Sequence, residues 1–179
     1  PLALLPWTLA AKTAGTSLWI YHLENVLLNM AAAVSFFFLL EKLGNSVKKS
    51  FLASLIFISG TASAAIAGFA PNLSYPLLLT LMNLSFLSGI CFLGTNSKSH
   101  LFCHVFFFAL GLFTLETGIG FVPVFLFYVL FVHESNIPLE EYCSNHPDRI
   151  RKQAAVLACL YAAVFAAWFI MRRLAVGGG

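Results

Sequence analysis

Charge is the scarcest property of this sequence. Only 9% of its 179 residues are Asp, Glu, Lys or Arg, against roughly 25% in an ordinary soluble domain. That deficit excludes a water-soluble globular protein of usual composition. The formal net charge of +3 is too small and too dispersed to mark a polyanion-binding surface, so no nucleic-acid partner is expected. Cysteine is sparse as well. Cys91, Cys103, Cys143 and Cys159 form no Cys-x-x-Cys pair, which removes the usual thiolate metal site and redox motif. All four are expected to act as small interior residues. No basic, apolar, small-residue leader is visible from Pro1 onward, so no signal peptide is read there.

What fills the space left by charge is hydrocarbon. Hydrophobic residues make up 60% of the chain, and 19 residues are Phe. A span of the bilayer core takes about 20 apolar residues, so the chain has room for about six. The expectation is an all-α fold, a single polytopic transmembrane helix bundle of five to six spans, with the lipid bilayer as its solvent. Apolar runs bounded by turn signals place an interfacial loop at 1–16 and helices at 17–40, 51–69, 76–94, 100–117, 121–132 and 154–171. The run 121–132 is short for a crossing. Putting Lys42, Lys48, Lys49, Lys98, Arg149, Arg151 and Lys152 on one side satisfies the positive-inside rule. Arg172 and Arg173 then fall opposite, a conflict removed if 121–132 is re-entrant. On this topology Asn72-Leu73-Ser74 is a glycosylation sequon close to the outer or lumenal membrane surface.

Three constellations stand out. His22, Asn25 and Asn29 recur at i, i+3 and i+7, so they share one face of the first helix, and Ala32 and Ala33 extend the stripe. Polar groups at membrane depth need partners. That face is expected to look into protein or a wet cavity, either as a contact surface or as a self-satisfied seam. Gly60, Ala64 and Gly68 form a small-x-x-x-small ladder that lets helices approach closely. His100 and His104, at i and i+4, have the spacing of a two-imidazole metal or haem site. No third ligand is evident, and the pair is read as interfacial and structural, with no cofactor expected.

The order of signals in the first third of the chain resembles the rhomboid superfamily. Pro6-Trp7-Thr8-Leu9, Ser17-Leu18-Trp19, then Leu27-Leu28-Asn29-Met30, and finally Glu41-Lys42-Leu43-Gly44 follow the family's aromatic loop, its second membrane helix with His-x-x-x-Asn, and its Glu-basic-x-Gly turn. The resemblance covers roughly residues 6 to 60. Family members carry a further helix ahead of the Trp7 loop. Active members also carry a Gly-x-Ser-Gly nucleophile, activated by a histidine on a later helix. Here Asn25 stands where the family has histidine, and His22 is three positions off register. The nearest serines are Ser88, in Phe86-Leu87-Ser88-Gly89 without the first glycine, and Ser74, with no flanking glycine. His104 and His133 are the available bases, and neither shares a membrane depth with Ser88 on the proposed topology.

The resemblance therefore implies a pseudoprotease, derlin-like in the broad sense. Such a protein engages transmembrane helices of other proteins without cutting them, here through His22, Asn25 and Asn29. An accessory subunit of a large membrane complex and a divergent intramembrane serine protease are the alternatives. The endomembrane system and the mitochondrial inner membrane are the candidate locations for such an integral membrane protein.

Overall fold

The computed structural model describes residues 8, 12, 18–66, 74–132 and 146–176. Among them the fold is helical throughout, with no strand. The helices are α1 (Leu18–Lys42), α2 (Val47–Ile66), α3 (Ser74–Thr95), α4 (Lys98–Thr114), α5 (Phe121–Phe127) and α6 (His146–Val176). A 3-10 turn, Glu116–Gly120, precedes α5, and a π-helical turn, Tyr128–Val132, continues it. Three stretches are long and apolar enough to cross a membrane: His22–Lys42, Ser74–Thr95 and Arg149–Leu174. Lys98–Thr114 and Thr117–Phe131 are shorter apolar helices. The expected interfacial loop at 1–16, Gly68, Asn72, His133 and Cys143 lie outside the described residues, apart from Thr8 and Lys12 of that loop.

The chain packs as two compact units, Pro1–Phe92 with Asn96–Gly118, and Leu93–Thr95 with Ile119–Gly179. In the first unit α1 and α2 form an antiparallel hairpin around a tight turn. Gly44 has φ +90°, the left-handed conformation that a Cβ disfavours. Its N–H donates to the Glu41 carbonyl at 3.0 Å, and the Asn45 N–H donates to the Leu40 carbonyl at 3.1 Å. These two bonds make a Schellman cap, which closes the last carbonyls of α1 and reverses the chain. Glu41-Lys42-Leu43-Gly44 thus has a local reason for its pattern. The polar loop expected from Glu41 to Ser50 is shorter than read, because α1 continues through Lys42 and α2 restarts at Val47, taking Lys48 and Lys49 into its first turn. Phe36 and Phe57 bridge the hairpin with ring centroids 5.1 Å apart.

Close approach falls elsewhere than on the expected glycine ladder. Gly60 is exposed, and a Cβ built there meets nothing within 4 Å. The Ala64 side chain and Gly68 lie outside the description. On α2 the buried small residues are Ser50 and Ser54, one turn apart. The tight contact between α3 and α4 is made at Gly111, where a Cβ would collide with the Met82 methyl. At Gly118, beyond α4, a Cβ would stand 2.9 Å from the same methyl.

In the second unit α6 is longer than its apolar run. Arg149, Arg151 and Lys152 sit at one end of this 31-residue helix, Arg172 and Arg173 near the other. The apolar stretch between them rises ~28 Å at 1.5 Å per residue, close to the ~30 Å hydrocarbon core of a bilayer. The Arg172 guanidinium lies 5.3 Å from the Trp168 ring centroid, and that of Arg173 lies 5.4 Å from Phe169. Aromatic and basic residues paired in this way are typical of a helix end at the membrane interface. Ile150, Gln153, Leu157 and Tyr161 form the one buried stripe of α6, and the helix packs on the π-helical turn that contains Val129.

Candidate functional site

The polar stripe of α1 is built as a seam. Asn25 and Asn29 are both 5% exposed. The Asn29 side-chain amide donates to the Asn25 backbone carbonyl and to Asn25 Oδ1, each at 2.9 Å. One and two turns further along, Ala32 and Ser35 continue the same face, and Asn83 of α3 closes on it. Its amide donates to Ser35 Oγ at 3.1 Å and to the Ala32 carbonyl at 3.3 Å. Ser35 Oγ in turn donates to the Ala32 carbonyl at 2.9 Å. The asparagines thus find their acceptors on α1, Asn29 within its own helix and Asn83 across from α3, as burial of amides demands. His22, the third residue of the expected stripe, is exposed.

A second polar junction stands between α3 and α4. Ser85 and His104 are both fully buried. The Ser85 hydroxyl donates to the His104 backbone carbonyl at 2.9 Å, and His104 Nδ1 donates to the Ser85 carbonyl at 2.7 Å. A carbonyl oxygen only accepts, so the tautomer is fixed with its hydrogen on Nδ1. Ser85 Oγ lies 3.2 Å from that same nitrogen. This serine and histidine are neighbours in the way a hydrolytic dyad would be, yet their protons are committed elsewhere. The nitrogen facing the hydroxyl already carries hydrogen and cannot take another, and the hydroxyl proton is turned onto a backbone carbonyl. General-base activation requires the reverse arrangement. The pair is a reciprocal clamp between two helices.

The serine brought to His104 is therefore Ser85 rather than Ser88 or Ser74. Ser88 is half-buried, three residues on in α3, which places it ~4.5 Å further along the axis. Ser74 begins α3, eleven residues before Ser85, about 16 Å away along the helix at 1.5 Å per residue. His100 is half-buried near the start of α4, while His104 is engaged with Ser85. No group of three His, Cys, Asp or Glu able to hold a metal occurs among the described residues. Cys91 and Cys103 are half-buried, whereas Cys159 is exposed. The expectation of an interior residue fails at Cys159 because α6 buries only one narrow stripe.

Among the described residues, α6 is the least buried of the three candidate spans. Just 11% of its apolar window is buried within the protein. Ala155, Cys159, Ala163 and Ala167 recur every fourth residue and are all exposed. Ala155, Cys159 and Ala163 each stand two residues after a member of the buried stripe, hence ~200° around the helix, and Ala167 continues the row one turn on. At the start of α6, Arg149 Nη2 lies 3.5 Å from the carbonyls of Leu93 and Gly94 at the C-terminal end of α3. A cation there faces the negative end of the helix dipole. No family model, no curated protein and no solved structure matches this chain.

Proposed function

We propose that this protein is a non-catalytic integral membrane protein that binds transmembrane helices of other proteins, rhomboid-like in its first hairpin, with α6 as the docking element. The exposure of α6 carries the reading: an apolar helix of bilayer length keeps one face for its own unit and leaves the other open. Open apolar surface alone is satisfied by lipid. The ladder Ala155, Cys159, Ala163, Ala167 adds the shape that favours a helix over lipid, since small residues at every fourth position let two backbones approach closely. The asparagine stripe supports the same assignment by elimination, because Asn29 is already bonded to Asn25, and Asn83 to Ser35 and the Ala32 carbonyl. His22 remains the stripe residue open to contact.

A client-binding protein and a subunit of one assembly use such a face alike, and the number of partners separates them. The test is copurification of the full chain from native membranes, with Ala163→Leu and Ala167→Leu compared with Phe106→Leu as an exposed-surface control. Loss of bound membrane proteins in the two alanine variants alone supports the reading. Retention in all three contradicts it. Several partners in variable amounts indicate client binding, and one partner in fixed stoichiometry indicates a subunit.

A further inference from the structure

The α1–α2 hairpin carries an apolar groove of about 410 Å³. Its walls come from α1 between Met30 and Phe38 and from α2 between Phe51 and Ile58, with Ala33 and Ser54 among the lining residues. Ala33 is the smallest of the lining side chains, and Phe37, Phe38 and Phe51 bring aromatic rings to the walls. The groove begins at the turn end of the hairpin. From Lys49 to Phe51 the rise is ~3 Å, and the α2 wall then runs ~10 Å further toward Ile58.

That turn end is basic. Lys42, Lys48 and Lys49 are all exposed, opposed by the single exposed carboxylate of Glu41. Lys48 and Lys49 occupy the first turn of α2, where the unpaired backbone N–H groups add positive potential. Lysines at the end of a membrane helix sit at headgroup level. An apolar channel therefore starts beneath a cationic cluster and extends about as far as part of one fatty-acyl chain.

We infer that this groove holds an acyl chain of an anionic glycerophospholipid from the leaflet on the basic side, with the headgroup phosphate at Lys42, Lys48 and Lys49. The charge at the mouth selects the lipid class, and the apolar walls hold its tail. This site is lined by α1 and α2 alone and does not depend on the helix-binding reading.

The test uses the full chain in phosphatidylcholine vesicles doped with phosphatidylserine, with a photoactivatable acyl chain carried first by one lipid and then by the other. Adducts are mapped by mass spectrometry. The phosphatidylserine probe is expected to label segments 30–38 and 51–58 several-fold more than the phosphatidylcholine probe at equal concentration. Lys48→Gln and Lys49→Gln should each lower that ratio about 5-fold, the weight of one basic residue near an anionic surface. Leu55→Trp, at an exposed position on the groove wall, should block labelling of both segments while leaving other adducts unchanged. Circular dichroism confirms that the variants keep their helices. Equal labelling by the two probes in the unaltered protein, or a ratio insensitive to both lysine changes, overturns the proposal. So does a photocrosslinker at residue 55 that captures a protein helix in native membranes rather than lipid.

Discussion

Ser85 and His104 exchange hydrogen bonds across two helices, each side chain donating to the other residue's backbone carbonyl, at 2.9 and 2.7 Å. Both residues are sealed from solvent. The clamp fixes the register of α3 against α4 more tightly than apolar packing alone, because sliding by one residue would orphan two buried donors. Met82 against Gly111 and Gly118 fits the same register.

Removing the imidazole therefore costs more than removing the hydroxyl. His104→Ala deletes a donor and leaves a cavity, and a loss of ~2–4 kcal/mol is expected. Ser85→Ala removes one interhelical bond with little volume, and costs ~0.6–1.7 kcal/mol. Reversible unfolding in mixed micelles measures both. Equal losses would mean that His104 contributes nothing beyond one bond.

The asparagine seam makes an asymmetric prediction. Asn29→Leu removes the donor that satisfies Asn25 Oδ1, leaving a buried acceptor unpaired, at ~1–3 kcal/mol. Asn25→Leu leaves the Asn29 amide its bond to the residue 25 backbone carbonyl, so its cost is expected to be smaller, ~0.6 kcal/mol. The same unfolding series decides the order.

The hairpin turn gives a third. Gly44→Ala places a Cβ in a left-handed conformation and should destabilise by ~1 kcal/mol. Ser54→Ala should do the opposite or nothing, since the buried Ser54 hydroxyl has no hydrogen-bond partner and its removal relieves a desolvated group. Paired melting curves of the two variants, moving in opposite directions or with Ser54→Ala unmoved, are the expected outcome. Destabilisation by Ser54→Ala would show that its hydroxyl is bonded after all.

Much of the helical layout is legible in the sequence, because apolar runs of bilayer length leave few alternatives to helix. Helices α1 and α3 begin and end within about two residues of the apolar runs at 17–40 and 76–94. The ends of α2 and α6 are not, since a helix continues through charged residues once its backbone bonds are in place. Lys48, Lys49, Arg149, Arg151 and Lys152 are helical for that reason. Asn25 and Asn29 are visible as a stripe and bond each other, but the closure of the same face at Ala32 and Ser35 depends on Asn83, fifty-four residues beyond Asn29. The Ser85–His104 clamp is invisible for the same reason: the two residues are nineteen apart in the sequence and meet only across helices. The weak hint was His104 itself, a polar ring inside an apolar run that had to find a partner. Cys159 reads as interior from its place in an apolar run, and only the packing of the second unit exposes it.

The most direct measurement is photocrosslinking from α6 in native membranes, with a photoreactive residue at position 163 and, as the comparison, at position 157 on the buried stripe. The proposed function predicts abundant adducts to other membrane proteins from position 163 and few from position 157. Adducts from position 163 confined to lipid or to this chain's own segments would contradict it.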